Sequence, residues 1–330
     1  MRGRNPPPFL FKGIIIILTD SYYEIGSSHK VCEDFALHGS IKNSQGVKYF
    51  YSIVCDGCSS SLMDNGKRLP LNVDTGARLL AIMAKQALRE LVDLRLSPGE
   101  LYRGIQGNIL SKCKVILPTL SLSSNVIDST LLIALASEDG MLWSGVWGDG
   151  AVAVHKKNGE IILYNVVLDS GAPSYLSYLF DKERKKMYED EFGNGNKSVE
   201  QTIISSDKNN VETEPARILF DPSLNFVHTT LPFGYIYFDF NSELMGLPNP
   251  SEIESISVLS DGILSFRKNL TDPVPLDVPA VELIDFKSKV GEFVVKRMNL
   301  AKKKFFNPNN MTHYDDLAIS SILSKEEQNG

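Results

Sequence analysis

The run Tyr49 to Cys55, YFYSIVC, is apolar and aromatic enough for a buried strand, yet it passes directly into Asp56 and Gly57. An ionised carboxylate is costly to desolvate, so such a strand must deliver its end to hydrogen-bond donors, a cation or a metal. The requirement recurs along the chain. Glu33-Asp34 lies in SSHKVCEDFA, Asp149 in VWGDGAVA, Asp261 in SVLSDGILSF and Asp315-Asp316 in THYDDLAISSIL. Four of these five sites abut an apolar β run, and three carry Asp-Gly. Any one of them alone is a plain turn. Together they call for a fold in which distant strand ends reach one depth, as they do along one edge of a sandwich.

The remaining pattern agrees with a sandwich. Strand-like segments fall at 14–18, 48–55, 130–136, 140–147 and 151–155, and Asn158-Gly159 forms a hairpin signal leading into IILYNVV, so neighbouring strands are antiparallel. Leu80, Ala84, Ala87, Leu88 and Leu91 make an apolar stripe on a helix with Asp74 as its cap. A second helix is expected over 100–115, carrying Leu101, Ile105 and Ile109 on one face. Later come a strand at 256–259, a helix with the stripe Phe286, Val290, Phe293 and Val294, and a closing strand at 317–323. We read 10–325 as one domain. Its polar, turn-rich part, 169–232, is either an insertion or flap that carries function or a surface excursion.

Composition excludes several classes. A net charge of −6 argues against a nucleic-acid surface, and the short basic runs at Lys182 to Lys186 and Lys302 to Lys304 read as solvated helix faces. Four irregularly spaced cysteines do not make a secreted disulfide framework, and Cys55-x-x-Cys58 has no second pair to complete a zinc site. The apolar run after Arg2 and Arg4 is interrupted by prolines and Lys12 and is too short to span a bilayer. The expectation is a cytoplasmic protein with no membrane segment.

A gathering of carboxylates suits hard cations. Mg²⁺ and Mn²⁺ take oxygen ligands, and two such ions about 4 Å apart clamp and activate a water. A glycine beside the aspartate frees the backbone carbonyl to turn toward an ion.

The order of these motifs, CED, VCDG, DSTLLIAL with VWGDG, VLSDGI and YDDLAI, resembles the metal-dependent protein phosphatase 2C family in its compact bacterial form, over roughly 26–323. The resemblance implies an α+β four-layer αββα sandwich, with two mainly antiparallel sheets flanked by helices. It implies a serine/threonine phosphoprotein phosphatase of signalling pathways, using two Mn²⁺ or Mg²⁺ ions and a third, weaker one. Asp56 would bridge the two ions, with the Gly57 carbonyl on one of them and Glu33 serving that ion directly or through water. Asp261 and Asp315 would hold the other, and Asp149 would join Asp261 around the third. Asp34 would orient the water that attacks phosphorus. His29 stands where many members carry a phosphate-gripping arginine, Cys58 where some carry a histidine acid, and Asp316 where an asparagine is usual. His29 and Cys58 are therefore the expected substrate contacts, with His29 also a candidate proton donor. These departures favour one alternative, a catalytically silent relative that binds phosphoproteins. The intact set Glu33, Asp56, Asp261 and Asp315 opposes it.

Overall fold

The computed structural model describes residues 15–58, 63–64, 67–68, 74–168, 172–192, 197–215, 236–241 and 247–326. β-Branched and aromatic runs supply its strands: β1 (Ile15–Glu24), β2 (Phe35–Lys42), β3 (Lys48–Cys55), β4 (Leu131–Ser137), β5 (Leu142–Trp147), β6 (Gly150–Lys156), β7 (Ile161–Leu168), β8 (Lys197–Ile204), β9 (Val211–Pro215), β10 (Ile236–Asp239), β11 (Ile253–Leu259) and β12 (Leu317–Glu326). They pair antiparallel in two sheets. The larger sheet runs β1-β12-β11-β6-β7-β8-β9, and the smaller runs β10-β5-β4-β3-β2.

Three apolar layers hold the sheets and helices together. Between the sheets, Val54, Leu132 and Val146 meet Val152, Val258 and Ile322. Helices α1 (Asp74–Leu91) and α2 (Pro98–Thr119) cover the outer face of the smaller sheet, where Leu80, Leu88 and Ile105 pack on Ile53, Ile133 and Trp143. After α3 (Lys182–Phe192), α4 (Asp277–Ile284) and α5 (Phe293–Ala301) cover the larger sheet through Leu283, Phe293 and Met298. The result is the four-layer αββα sandwich, α+β in class. Cover on both faces explains why β4 and β5 are buried at every position instead of alternating.

Several elements differ from the sequence expectation. Helix α2 starts earlier, at Pro98, because proline suits a first turn and Glu100 accepts from the Ser97 N–H at 2.9 Å. The stripe through Phe286 and Val290 is not one helix: Glu292 takes a left-handed φ of 58° and α5 begins only at Phe293. Phe286 is buried in a loop, while Val290 is exposed. The helix cap assigned to Asp74 falls on a side chain outside the described ones. Within 169–232, β8 and β9 extend the larger sheet beyond β7, and 216–235 lies outside the described residues. No described helix is long and apolar enough to cross a membrane.

Candidate active site

Strand register brings the acidic motifs to one end of both sheets. Phe35 at the start of β2 faces Cys55 at the end of β3, and Val54 faces Leu132 near the start of β4. Leu131 faces Trp147 at the end of β5. In the other sheet Ala151 faces Leu259, which faces Ile319, and Leu317 faces Glu24 at the end of β1. Each of these positions lies within three residues of a candidate carboxylate or of the loop that leads to one, except Leu131 and Leu132, which follow the loop residue Thr130 that bonds the Asp56 carbonyl. Gly148 and Gly150 both adopt positive φ, 100° and 118°, where the chain crosses between the sheets and presents Asp149.

Asp34, Asp56 and Asp261 meet there through their side chains. Asp56 shares side-chain hydrogen bonds with both neighbours, and Asp34 also bonds the Ser260 side chain. Burial first, and then the charges of the neighbouring carboxylates, push all three acidities toward the protonated form. For Asp56 those charges belong to Asp34, Asp261 and Asp149. Asp315 faces Asp261 closely enough to add to its repulsion, and stays partly open to solvent.

His29 sits at the rim. Its Nε2 lies 3.4 Å from Asp315 Oδ1 and its Nδ1 lies 3.1 Å from Asp316 Oδ1. Burial disfavours its charge, but Asp316, Asp315 and Glu33 outweigh burial and raise its pKa. Asp316 is an anchor, a role its charge alone did not suggest. Its two oxygens accept the N–H groups of Gly26 at 2.7 Å and Glu33 at 2.5 Å, tying the loop before β2 to the start of β12. Glu33 itself is buried. His313 supports the same corner by bonding Glu24 at 2.7 Å and the Asp315 carbonyl at 2.8 Å.

The glycines of the Asp-Gly pairs serve close approach. A Cβ on Gly57 would come 2.5 Å from the Glu33 carbonyl oxygen, and one on Gly262 would come 1.8 Å from that of Asp316. Neither site has room for a side chain. The Asp56–Cys58 loop is fixed along its other side by Asp128–Thr130: Thr130 N–H donates to the Asp56 carbonyl at 2.9 Å, and Cys58 N–H donates to the Asp128 carbonyl at 3.1 Å. Cys58 is bonded by the Tyr175 phenol.

The donors suit a hard divalent cation. They are carboxylate oxygens held together against their own repulsion, and Asp34 Oδ2 is buried with no hydrogen-bond partner. Among the described residues, no three His, Cys, Asp or Glu side chains are arranged to hold a metal ion. Two residues of the site's walls escaped the sequence reading. Arg184, expected on a solvated helix face, is half-buried and paired with Asp128. Tyr175 lies in the polar segment 169–232, and no local pattern marks it.

No family model matches the chain, and no curated protein matches it. The chain is similar in structure to bacterial serine/threonine phosphatases. A variant of a bacterial serine phosphatase matches 95% of this chain and 100% of its own, at 11% identity and a TM-score of 0.48. The serine/threonine phosphatase Stp1 from Staphylococcus aureus matches 99% of this chain and 100% of its own, at 10% identity and 0.42. The PP2C phosphatase domain of SpoIIE from Bacillus subtilis matches 96% of this chain and 66% of its own, at 11% identity and 0.44. Identities this low assign no residue a role.

Proposed function

We propose that this chain is a divalent-metal-dependent phosphatase acting on phosphoserine and phosphothreonine in proteins. One observation carries the reading: Asp34, Asp56 and Asp261, from three separate motifs, share one buried, hydrogen-bonded cluster whose carboxyls burial pushes toward the protonated form. A fold keeps such a cluster against its cost where a cation offsets it. Asp56, the Gly57 carbonyl and Glu33 would hold one Mn²⁺ or Mg²⁺, Asp261 and Asp315 a second, and Asp149 with Asp261 a third, weaker one. When bound, the ions supply an acidified water and positive charge opposite the phosphoryl oxygens.

The chain's own residues do the rest. Asp34, held by the Ser260 side chain, orients the attacking water. His29, kept protonated more readily by Asp316 and Asp315, donates to a phosphate oxygen and is positioned to supply a proton to the leaving alcohol. Its single N–H directions replace a bidentate guanidinium, so phosphate is held less rigidly. The Tyr175–Cys58 contact favours a second reading, a phosphoprotein-binding scaffold without turnover, because the thiol is engaged with a phenol.

Phosphate release from phosphothreonine, phosphoserine and phosphotyrosine peptides, with Mn²⁺ or with EDTA, separates the two. Metal-dependent release from the first two supports the enzyme. Binding of these peptides without release supports the scaffold.

A further inference from the structure

The segment 172–192 is fastened to the site by one buried ion pair. Asp128, whose side chain is fully buried, accepts from Arg184 Nη1 at 3.0 Å and from Nη2, and from Ser177 Oγ at 2.5 Å. Arg184 is itself held in place. Its guanidinium lies 4.9 Å from the Tyr178 ring centre, and its backbone N–H donates to Asp181, which accepts from Ser124 Oγ at 2.8 Å. The same Asp128 gives its carbonyl to Cys58 N–H at 3.1 Å, and Thr130, two residues on, bonds Asp56 through both backbone and side chain. Between these contacts, Tyr175 bonds the Cys58 thiol. A fork from α3 therefore grips the strip that splints the Asp-Gly loop.

We propose that Arg184 is a positioning residue for the Asp56–Cys58 loop, acting through Asp128. A bidentate guanidinium fixes the carboxylate in a plane as well as neutralising it. Asp128, so fixed, sets the depth of the Cys58 N–H and hence the aim of Asp56. The consequence for turnover rests on the phosphatase reading; the consequence for the loop does not.

The test compares Arg184→Ala, Arg184→Lys, Asp128→Asn, the double variant Asp128→Asn with Arg184→Ala, and Lys186→Ala as an exposed neighbour, all in the full chain. Three readouts apply: the rate of alkylation at Cys58 resolved by peptide mass, equilibrium Mn²⁺ binding, and steady-state turnover of para-nitrophenyl phosphate. Arg184→Ala is expected to speed Cys58 alkylation roughly tenfold, to raise half-saturating Mn²⁺ roughly tenfold and to lower kcat roughly 10–100-fold with KM little changed. Arg184→Lys should fall between it and the parent, and Lys186→Ala should match the parent.

The double variant separates positioning from stability. It removes the buried charge, so its melting temperature recovers relative to Arg184→Ala, while Cys58 stays reactive and Mn²⁺ stays weakly bound. Recovery of Cys58 protection together with stability would show that Arg184 merely neutralises Asp128, and would overturn the proposal. So would an unchanged Cys58 rate in Arg184→Ala. If the parent neither binds Mn²⁺ nor turns over, the phosphatase reading fails, and the alkylation rates still decide whether Arg184 holds the loop.

Discussion

Replacing Asp56 by asparagine should stabilise the metal-free protein. The carboxyl of Asp56 is pushed toward protonation by burial, then by the charges of Asp34 and Asp261. A carboxyl whose folded pKa lies above its unfolded value weakens the fold above the unfolded value, and the loss grows with pH until the folded pKa is passed. Each pKa unit corresponds to about 1.4 kcal/mol. Two like charges about 4 Å apart repel by about 4 kcal/mol at an effective dielectric of 20, which sets the scale of the charge contribution. Asparagine keeps the shape and an N–H donor for the neighbouring carboxylates while removing the charge. A gain of about 1–4 kcal/mol follows, or roughly 3–10 °C in melting temperature for a chain of this size. Calorimetry at pH 7.5 in EDTA measures it, and a second scan at pH 4 should show the gap shrinking. Mn²⁺ should raise the melting temperature of the parent and not of the variant. A less stable variant, or a gap independent of pH, would refute the reasoning.

Other outcomes follow from the same geometry. Glu24 is held at a pKa of about 2, because His313 and Lys302 bond its carboxylate strongly enough to outweigh burial. Its contribution, about 3.5 kcal/mol at most and about 2 kcal/mol once solvent screening of the partly exposed pair is discounted, is fully present above pH 4.5 and is lost as pH falls toward 2; denaturant midpoints across that range should flatten in Glu24→Gln. Gly57→Ala would force the loop away from the Glu33 carbonyl, and turnover should fall roughly 100-fold while the fold persists by circular dichroism. Asp316→Ala leaves the Gly26 and Glu33 N–H groups without their acceptor and should cost about 2–4 kcal/mol in chemical denaturation.

The carboxylates were legible because each ends or begins a run whose apolar pattern is strong. Asp56, Asp149 and Asp261 each follow a strand and precede glycine, and the two sheets carry all three to one end. The purpose of those glycines was not legible. Gly57 and Gly262 are needed for backbone contact with Glu33 and Asp316, partners far away in sequence. Asp316 likewise looked like one more negative charge, yet it is an acceptor for two backbone N–H groups. Phe286, Val290, Phe293 and Val294 have helical spacing, but Asp285 draws in Lys208 and Lys287 and Glu292 turns left-handed, which spacing does not report. Arg184 hid within a basic run, where its neighbours Lys182 and Lys186 are exposed. Only the tertiary approach of Asp128 distinguishes it.

We propose that the shared carboxylate end is a metal-dependent phosphatase centre. Hydrolysis of para-nitrophenyl phosphate by the purified full chain, with Mn²⁺ and with EDTA, beside Asp56→Asn, tests it most directly. Turnover that requires Mn²⁺ and is lost in the variant is the expected result. Turnover that persists in Asp56→Asn, or none in the parent at any pH from about 6 to 9 with Mn²⁺ present, would contradict it.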